Sequence, residues 1–445
     1  MNIPSGALFI LRTFRQAGHE AYVVGGCVRD TLLGRVPGDW DICTSALPEE
    51  TKALFPRTVD TGLKHGTVTV LVEGETYEVT TFRQDGVYLH HRVPEAVTFV
   101  RSLREDLRRR DFTVNAMAMD ENGEIQDHFG GREDLGKGLL RAVGDADQRF
   151  GEDALRILRG LRFSAQLGFK IEEKTAEAMV KNRALLRDIS GERVLQEMNQ
   201  LLLGKYAPPV LEQFPEIPGT VLPELLPAVG FSQHSTYHHR DVWGHTLLTL
   251  AAAPEDLYIR WTMLLHDLGK PATFTLDEKG QGHFYGHAGV SAEIARDIFC
   301  RLHGDNQMKN TVCLLVAAHG DMLPESKKTA RRWVARFGEE NLQRLLEVKR
   351  CDIMGLHPDQ RGSALAALKA SKDLMETLLQ EESCFSLGEL AVGGRDLMAL
   401  GLSPGPDVGR ILNCLLDDVL EERVKNEKDA LLRRAQGLIE RTKPC

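Results

Sequence analysis

Two adjacent glycines, Gly25 and Gly26, follow the strand-forming stretch Ala21–Val24 and lead into a helical segment over Val28–Leu33. Asp39 and Asp41 then stand two residues apart on a second extended stretch, Asp39–Cys43. A strand, a glycine turn, a helix and a second strand in so short a span commit this part of the chain to a mixed α/β layer. Residues two apart on a strand point to the same face, so both carboxylates are expected at one site. A helix to about Ala17 precedes this unit, and Thr67–Phe82 alternates apolar and polar residues around a Glu-Gly turn, the pattern of a hairpin. Residues 1–150 are therefore expected to form one α/β head.

The pattern changes at Glu152. From there to about Tyr206 apolar and basic residues recur at helical spacing, as in Leu155, Leu158, Arg159 and Arg162. Ala207–Pro227 contains Pro208, Pro209, Pro215, Pro218, Pro223 and Pro227, a density expected to end helices and form a connector. Residues 229–360 are helical in pattern and hold most of the histidines, and residues 361–445 end in amphipathic helices after the turn GLSPGPDVG. At 445 residues the chain exceeds one ordinary core. The expected fold class is α+β and multidomain: head 1–150, helical neck 151–228, histidine-rich region 229–360 and helical tail 361–445.

No apolar run is long enough to span a bilayer, and the first residues lack the basic and apolar regions of an export signal, so a cytoplasmic protein with no membrane partner is expected. Eight cysteines without a C-x-x-C pair suggest neither a disulfide framework nor a zinc knuckle.

The net charge of −9 disfavours a nucleic-acid partner only if charge is spread evenly. It is not. Arg101, Arg104, Arg108, Arg109 and Arg110 fall within ten residues, and Arg156, Arg159 and Arg162 follow at helical spacing. Paired hard carboxylates at Asp39 and Asp41 suit Mg²⁺. Gly25 and Gly26 allow close approach of backbone N–H groups to a triphosphate, and Arg29 adds a charged donor. These pieces compose a nucleotidyl-transfer site.

The run GGCVRD, followed after eight residues by DWDI, resembles the signature of polymerase-beta-like nucleotidyltransferases, within them the class II tRNA nucleotidyltransferase and poly(A) polymerase family. TFRQDGVYLHHRVP, REDLRRRDFTVNAM, IQDHFGGREDL and FGEDALRILRGLRFSAQLGF follow in the family's order. The resemblance implies a polymerase-beta-like head, in which Asp39 and Asp41 are catalytic and hold Mg²⁺. Gly25, Gly26, Arg29, Arg110, Asp153, Arg156, Arg159 and Arg162 would bind the nucleotide. Within Glu152-Asp153-x-x-Arg156, side chains rather than a template would choose the base, and Asp153 and Arg156 are expected three apart on one helix. Glu78 is the expected third carboxylate. The implied partners are tRNA, CTP and ATP. The loop differs from the family pattern at His90 and Val93, positions associated with the switch from CTP to ATP, which leaves full and partial CCA addition and poly(A) synthesis as alternatives. The segment SGERVLQEMNQLLL resembles the family's neck, and the stretch from Leu390 resembles its tail.

A separate set, His245, His266-Asp267 within LLHDLGKP, and Asp352, resembles the HD-domain phosphohydrolases. Those residues would bind a divalent ion, with His287 and His319 as further ligands. Imidazole with carboxylate suits Ni²⁺, Mn²⁺, Fe²⁺ or Mg²⁺.

Overall fold

The computed structural model describes residues 3–86, 88–89, 93–94, 97–235, 239–381 and 385–442. The chain divides into two compact units, one of residues 1–229 with 298–305, the other of residues 230–297 with 306–445.

A seven-stranded mixed sheet organises the first unit. Its order across the sheet is Ile125–Asp127, Met117–Met119, Ala21–Val24, Ile42–Thr44, Glu75–Thr81, Thr67–Val72 and Thr58–Gly62. Neighbours are antiparallel except Ile42–Thr44 with Glu75–Thr81, which run parallel with Ile42 opposite Val79. Strand alternation gives each face its own core. Val23, Ile42, Val70, Val79, Met117 and Met119 pack with Ala7, Ile10, Leu11 and Phe14 of the helix Ser5–Gln16. Val24, Cys43 and Ala118 face the other way, onto Phe82, Leu103 and Leu107. The hairpin expected over Thr67–Phe82 turns at Glu73 (φ 55°) and Gly74 (φ 88°), the two positive-φ positions of the tightest hairpin loop.

Two local expectations are corrected. The strand expected over Asp39–Cys43 is Ile42–Thr44, and Asp39 and Asp41 lie in the extended lead to it. Val24 N–H still donates to the Asp41 carbonyl at 2.9 Å, but the partner strand then turns away at Gly25, so the residues before Asp41 have nothing to pair with. The proline-dense stretch is no extended connector. It forms the helices Ala207–Gln213 and Pro218–Val221 and a 3₁₀ turn, Pro223–Ala228, each with proline in its first turn, where a missing N–H costs nothing. Ile217, Leu222, Leu225 and Ala228 are buried there.

Among its described residues the second unit is helical apart from one short antiparallel pair, Thr275–Leu276 with Gly282–His283. Asp277 accepts the N–H groups of Lys279 and Gln281 at 2.9 Å and closes that turn. The helical run Lys327–Gly355 breaks at Gly338 (φ 66°). Gly394–Ala399, Pro406–Leu420 and Lys428–Thr442 enclose a core of their own around Leu397, Leu415 and Leu431.

Candidate active sites

In the first unit a cavity of about 490 Å³ opens where Ala21–Val24 ends. Gly25 makes the turn at φ 87°, and a Cβ there would lie 3.0 Å from Arg110 Nη1. Asp39 and Asp41 line the cavity together with Arg109 and Arg110. The Asp41 carboxyl is pushed up to about 6, first by burial and then by the charge of Asp39, with Arg110 opposing and Glu78 adding a smaller push. Glu78 is exposed and does not line the cavity, yet the parallel register places it beside Asp41 on the same face of the next strand.

The cavity brings together Gly25, Gly26, Arg29, Asp39, Asp41, Arg110, Asp153, Arg156, Arg159 and Arg162. Seven arginines and four aspartates line it, so a chain that is acidic in sum concentrates positive charge here. Several members have no individual signal in the sequence. The side chains of Arg29, Arg159 and Arg162 gather around Phe163, with their guanidinium carbons 5.3, 5.2 and 4.4 Å from its ring centroid. Asp111, buried behind them, accepts from Arg159 Nε at 2.8 Å and lies 2.7 Å from its Nη2. It also accepts the Phe112 N–H at 2.8 Å and Asn115 Nδ2 at 3.2 Å. Burial alone would raise the Asp111 carboxyl, but Arg159 and these donors hold it at about 2. Asn115 Oδ1 accepts from Arg29 Nη1 at 2.6 Å, and Glu197 lies 3.2 Å from Arg162. The run DFTVN, with Asp and Asn four apart, is the one trace of this scaffold in the sequence.

Asp153 and Arg156 do not share a helix. One helix ends at Glu152, the next begins at Leu155, and Asp153 between them is extended (φ −131°, ψ 103°). Its Oδ1 accepts the Leu155 N–H at 3.1 Å and its Oδ2 lies 3.5 Å from Arg193. An aspartate whose side chain bonds the backbone two residues on favours this break over a continuing helix. Arg156 donates to the Arg149 carbonyl at 2.9 Å, the Arg109 carbonyl at 2.7 Å and Glu152 at 2.9 Å, so its orientation is set before any ligand enters. Glu152 lines a neighbouring hollow with Arg108, Arg109 and Arg149. His90 lies outside the described residues, as does the side chain of Val93.

The second unit holds the histidine-aspartate set, buried except for the partly exposed His287 and Asp352. Asp267 belongs to two groups with metal-ligand spacing, one with His245 and His266, the other with His287 and His319. Each imidazole Nδ1 faces a backbone carbonyl: His245 that of Gly355 at 3.2 Å, His266 that of Met263 at 2.8 Å, His287 that of Phe284 at 2.8 Å, His319 that of Val316 at 2.7 Å. With the protons held there, the Nε2 lone pairs converge. His245 and His266 Nε2 are 3.3 Å apart, His287 and His319 Nε2 3.1 Å apart, and His245 Nε2 is 3.0 Å from Asp352 Oδ1. Acceptors facing acceptors at such distances need a cation or protons between them, and this donor set fits divalent metal. Burial would raise the Asp267 carboxyl, but His266 and the Lys270 ammonium, 2.8 Å away, hold it well below the usual range. Gly355 is required here, because a Cβ would come within 2.6 Å of the His245 ring.

The poly A polymerase head domain model matches residues 21–141, the model described as "Probable RNA and SrmB- binding site of polymerase A" residues 168–216, and the model described as "tRNA nucleotidyltransferase domain 2 putative" residues 282–435. A CCA-adding enzyme of Geobacillus stearothermophilus is 38% identical over 96% of this chain and 95% of its own length. The chain belongs to the CCA-adding enzyme family. Another member, from Streptococcus mutans, is 39% identical over 96% of this chain and 95% of its own length. The crystal structure of the Bacillus stearothermophilus CCA-adding enzyme in complex with CTP aligns with a TM-score of 0.72 at 34% identity, covering 99% of this chain and 98% of that one. Membership makes the chain a nucleotidyltransferase with the family's fold, and the family's head implies a divalent metal. Among the described residues no helix is long and apolar enough to cross a membrane.

Proposed function

We propose that the chain is a cytoplasmic, template-independent tRNA nucleotidyltransferase that adds C, C and A to the tRNA 3′ end from CTP and ATP. The observation carrying this reading is the cavity that sets Asp39 and Asp41 at one end of an arginine cluster whose members are held in place by Asp111, Asn115, Glu197 and Phe163. Full-length relatives named CCA-adding enzymes favour it over a poly(A) polymerase or a partial enzyme.

Asp39 and Asp41 would hold Mg²⁺, with Glu78 as a third carboxylate, and the ion would acidify the attacking 3′-hydroxyl and neutralise charge on the departing pyrophosphate. Arg29, Arg110, Arg159 and Arg162 would bind the triphosphate through charge-assisted hydrogen bonds. Asp153 and Arg156 offer an acceptor and a donor to the base edge, and their fixed orientations favour a base of matching pattern. The neck, residues 151–228, and the tail, residues 361–445, would hold tRNA. The test supplies tRNA ending before CCA, after C and after CC, with labelled CTP and ATP separately. CTP should be used twice and ATP once. Addition of ATP alone to all three would replace this reading with poly(A) synthesis.

A second reading is favoured by the two ligand groups that share Asp267: residues 229–360 act as an HD-type phosphohydrolase. His245, His266, Asp267 and Asp352 would hold one divalent ion and Asp267, His287 and His319 another, supplying Lewis acidity for attack of water on phosphorus. In a 2′,3′-cyclic phosphate the attack breaks one P–O bond and leaves a phosphomonoester beside a free hydroxyl. Release should need added Ni²⁺, Mn²⁺ or Mg²⁺ and disappear in Asp267→Ala. Cleavage by Asp267→Ala at the wild-type rate would remove the assignment.

A further inference from the structure

Among the described residues of the second unit, the two most exposed large apolar side chains are Met322 at 87% and Tyr285 at 78%. Each comes from a segment that delivers a ligand of the second metal group: Tyr285 precedes His287 by two residues and Met322 follows His319 by three. Single exposed apolar residues are ordinary, but Tyr285 is built into a rigid arrangement. Its ring stacks on His283, with centroids 5.4 Å apart and planes within 7°. His283 Nε2 is fixed by Asp277 at 3.1 Å, the same residue that closes the short hairpin. Phe284, between the stacked pair, gives its carbonyl to His287 Nδ1 and packs its ring near Phe274 at 5.5 Å and Lys270 Nζ at 5.3 Å.

One stretch of backbone therefore orients a metal-group histidine and a pre-stacked aromatic ring together. The Cα atoms of Tyr285 and His287 are two steps apart, no more than about 7.6 Å. A flat ring held by its neighbour and open to water is a surface on which a base of any identity stacks, because every base has a π-face. The ring's fixed conformation lowers the entropy cost of using it.

We propose that the Tyr285–His283 stack is a nucleobase subsite of the histidine-aspartate centre, so that this centre takes nucleoside phosphate esters in preference to base-free ones. The proposal rests on the phosphohydrolase reading above. The test uses the full chain loaded with Ni²⁺ and compares adenosine 2′,3′-cyclic phosphate, glycerol 1,2-cyclic phosphate and an RNA oligonucleotide ending in a 2′,3′-cyclic phosphate. Wild type should favour the two base-bearing substrates. Tyr285→Ala should raise KM for them on the order of tenfold, as expected for loss of one stacking contact, leave the glycerol ester unchanged, and be rescued by Tyr285→Phe. The free nucleotide and the RNA distinguish a mononucleotide from an RNA end as the source of the base. A parallel equilibrium dialysis, with the head filled by excess CTP, should show the same loss of adenosine 2′,3′-cyclic phosphate binding in Tyr285→Ala. An equal effect of Tyr285→Ala on all substrates, or no effect on any, overturns the subsite while leaving the hydrolase. Absence of cleavage of every substrate by wild type overturns the hydrolase reading, and unchanged dialysis would then overturn the subsite separately.

Discussion

Asp111→Asn isolates the contact on which the arginine cluster rests. The substitution keeps the volume and an acceptor for the Phe112 N–H, but removes the charge facing Arg159 at 2.7 Å. The Asp111 carboxyl lies at about 2 in the folded chain, held down by Arg159 against the raising effect of burial. An unfolded aspartate titrates near 3.9, and each unit of difference corresponds to about 1.4 kcal/mol. Asp111 is 7% exposed but Arg159 is 34% exposed, so solvent screening trims the product to about 2 kcal/mol. Because the folded value is depressed, the contribution is fully present above the unfolded value and is lost as pH falls through the folded one, with about half gone near pH 3. Urea unfolding of wild type and Asp111→Asn, followed by a probe in the first unit, should differ by about 2 kcal/mol at pH 7 and converge toward pH 3. Comparing the two proteins at each pH cancels the other carboxylates. Nucleotide addition by the variant at pH 7 should also fall, because Arg159 loses the partner that aims it. Equal stability at pH 7, or a gap that persists undiminished in acid, would refute the reasoning.

Asp39→Ala or Asp41→Ala should abolish labelled CTP incorporation while circular dichroism stays unchanged, since neither residue belongs to an apolar core. Phe163→Leu removes the ring shared by three guanidinium groups, and at about 0.5–1 kcal/mol each the loss should raise KM for CTP roughly tenfold or more in steady-state assays. Gly25→Ala places a side chain at φ 87° and 3.0 Å from Arg110 Nη1, so it should cost about 1–2 kcal/mol in stability and reduce incorporation. Gly355→Ala should lower bound metal per chain, measured by emission spectrometry after dialysis, without touching CTP incorporation; unchanged metal would show that His245 is not a ligand.

The sequence carries the head's chemistry where residues close in the chain act together. Asp39 and Asp41 are two apart, and Gly25, Gly26 and Arg29 lie on one turn, so spacing alone places them. Asp111 and Arg159 are 48 residues apart and Arg162 and Glu197 are 35 apart. No periodicity connects such pairs, and only packing reveals that these acids hold the arginines of the cavity. The break at Asp153 escapes a pattern reading for a different reason. Residues on both sides suit a helix, and what interrupts it is a single side-chain bond to the Leu155 N–H. In Ala207–Pro227 proline density identifies helix boundaries correctly in kind, but a first turn tolerates proline as readily as a connector does.

The two centres invert each other's electrostatics, and this would make the two proposed activities separable. In the head, guanidinium groups outnumber carboxylates around an open cavity, an arrangement that suits a polyanion and would leave two aspartates to meet a cation arriving with it. In the histidine-aspartate centre the converging atoms are imidazole nitrogens and carboxylate oxygens, whose lone pairs repel until a cation sits among them. A metal ion there would complete the polar packing of Asp267, His245 and His266, which are almost fully buried, and so should add stability to the folded unit by mass action. Ni²⁺ should therefore raise the midpoint of thermal unfolding of wild type, with a much smaller rise in Asp267→Ala, because that variant loses the one residue common to both groups. CTP incorporation should survive in Asp267→Ala, since the head supplies Asp39 and Asp41 itself. An equal rise in both proteins would place the stabilising ion elsewhere.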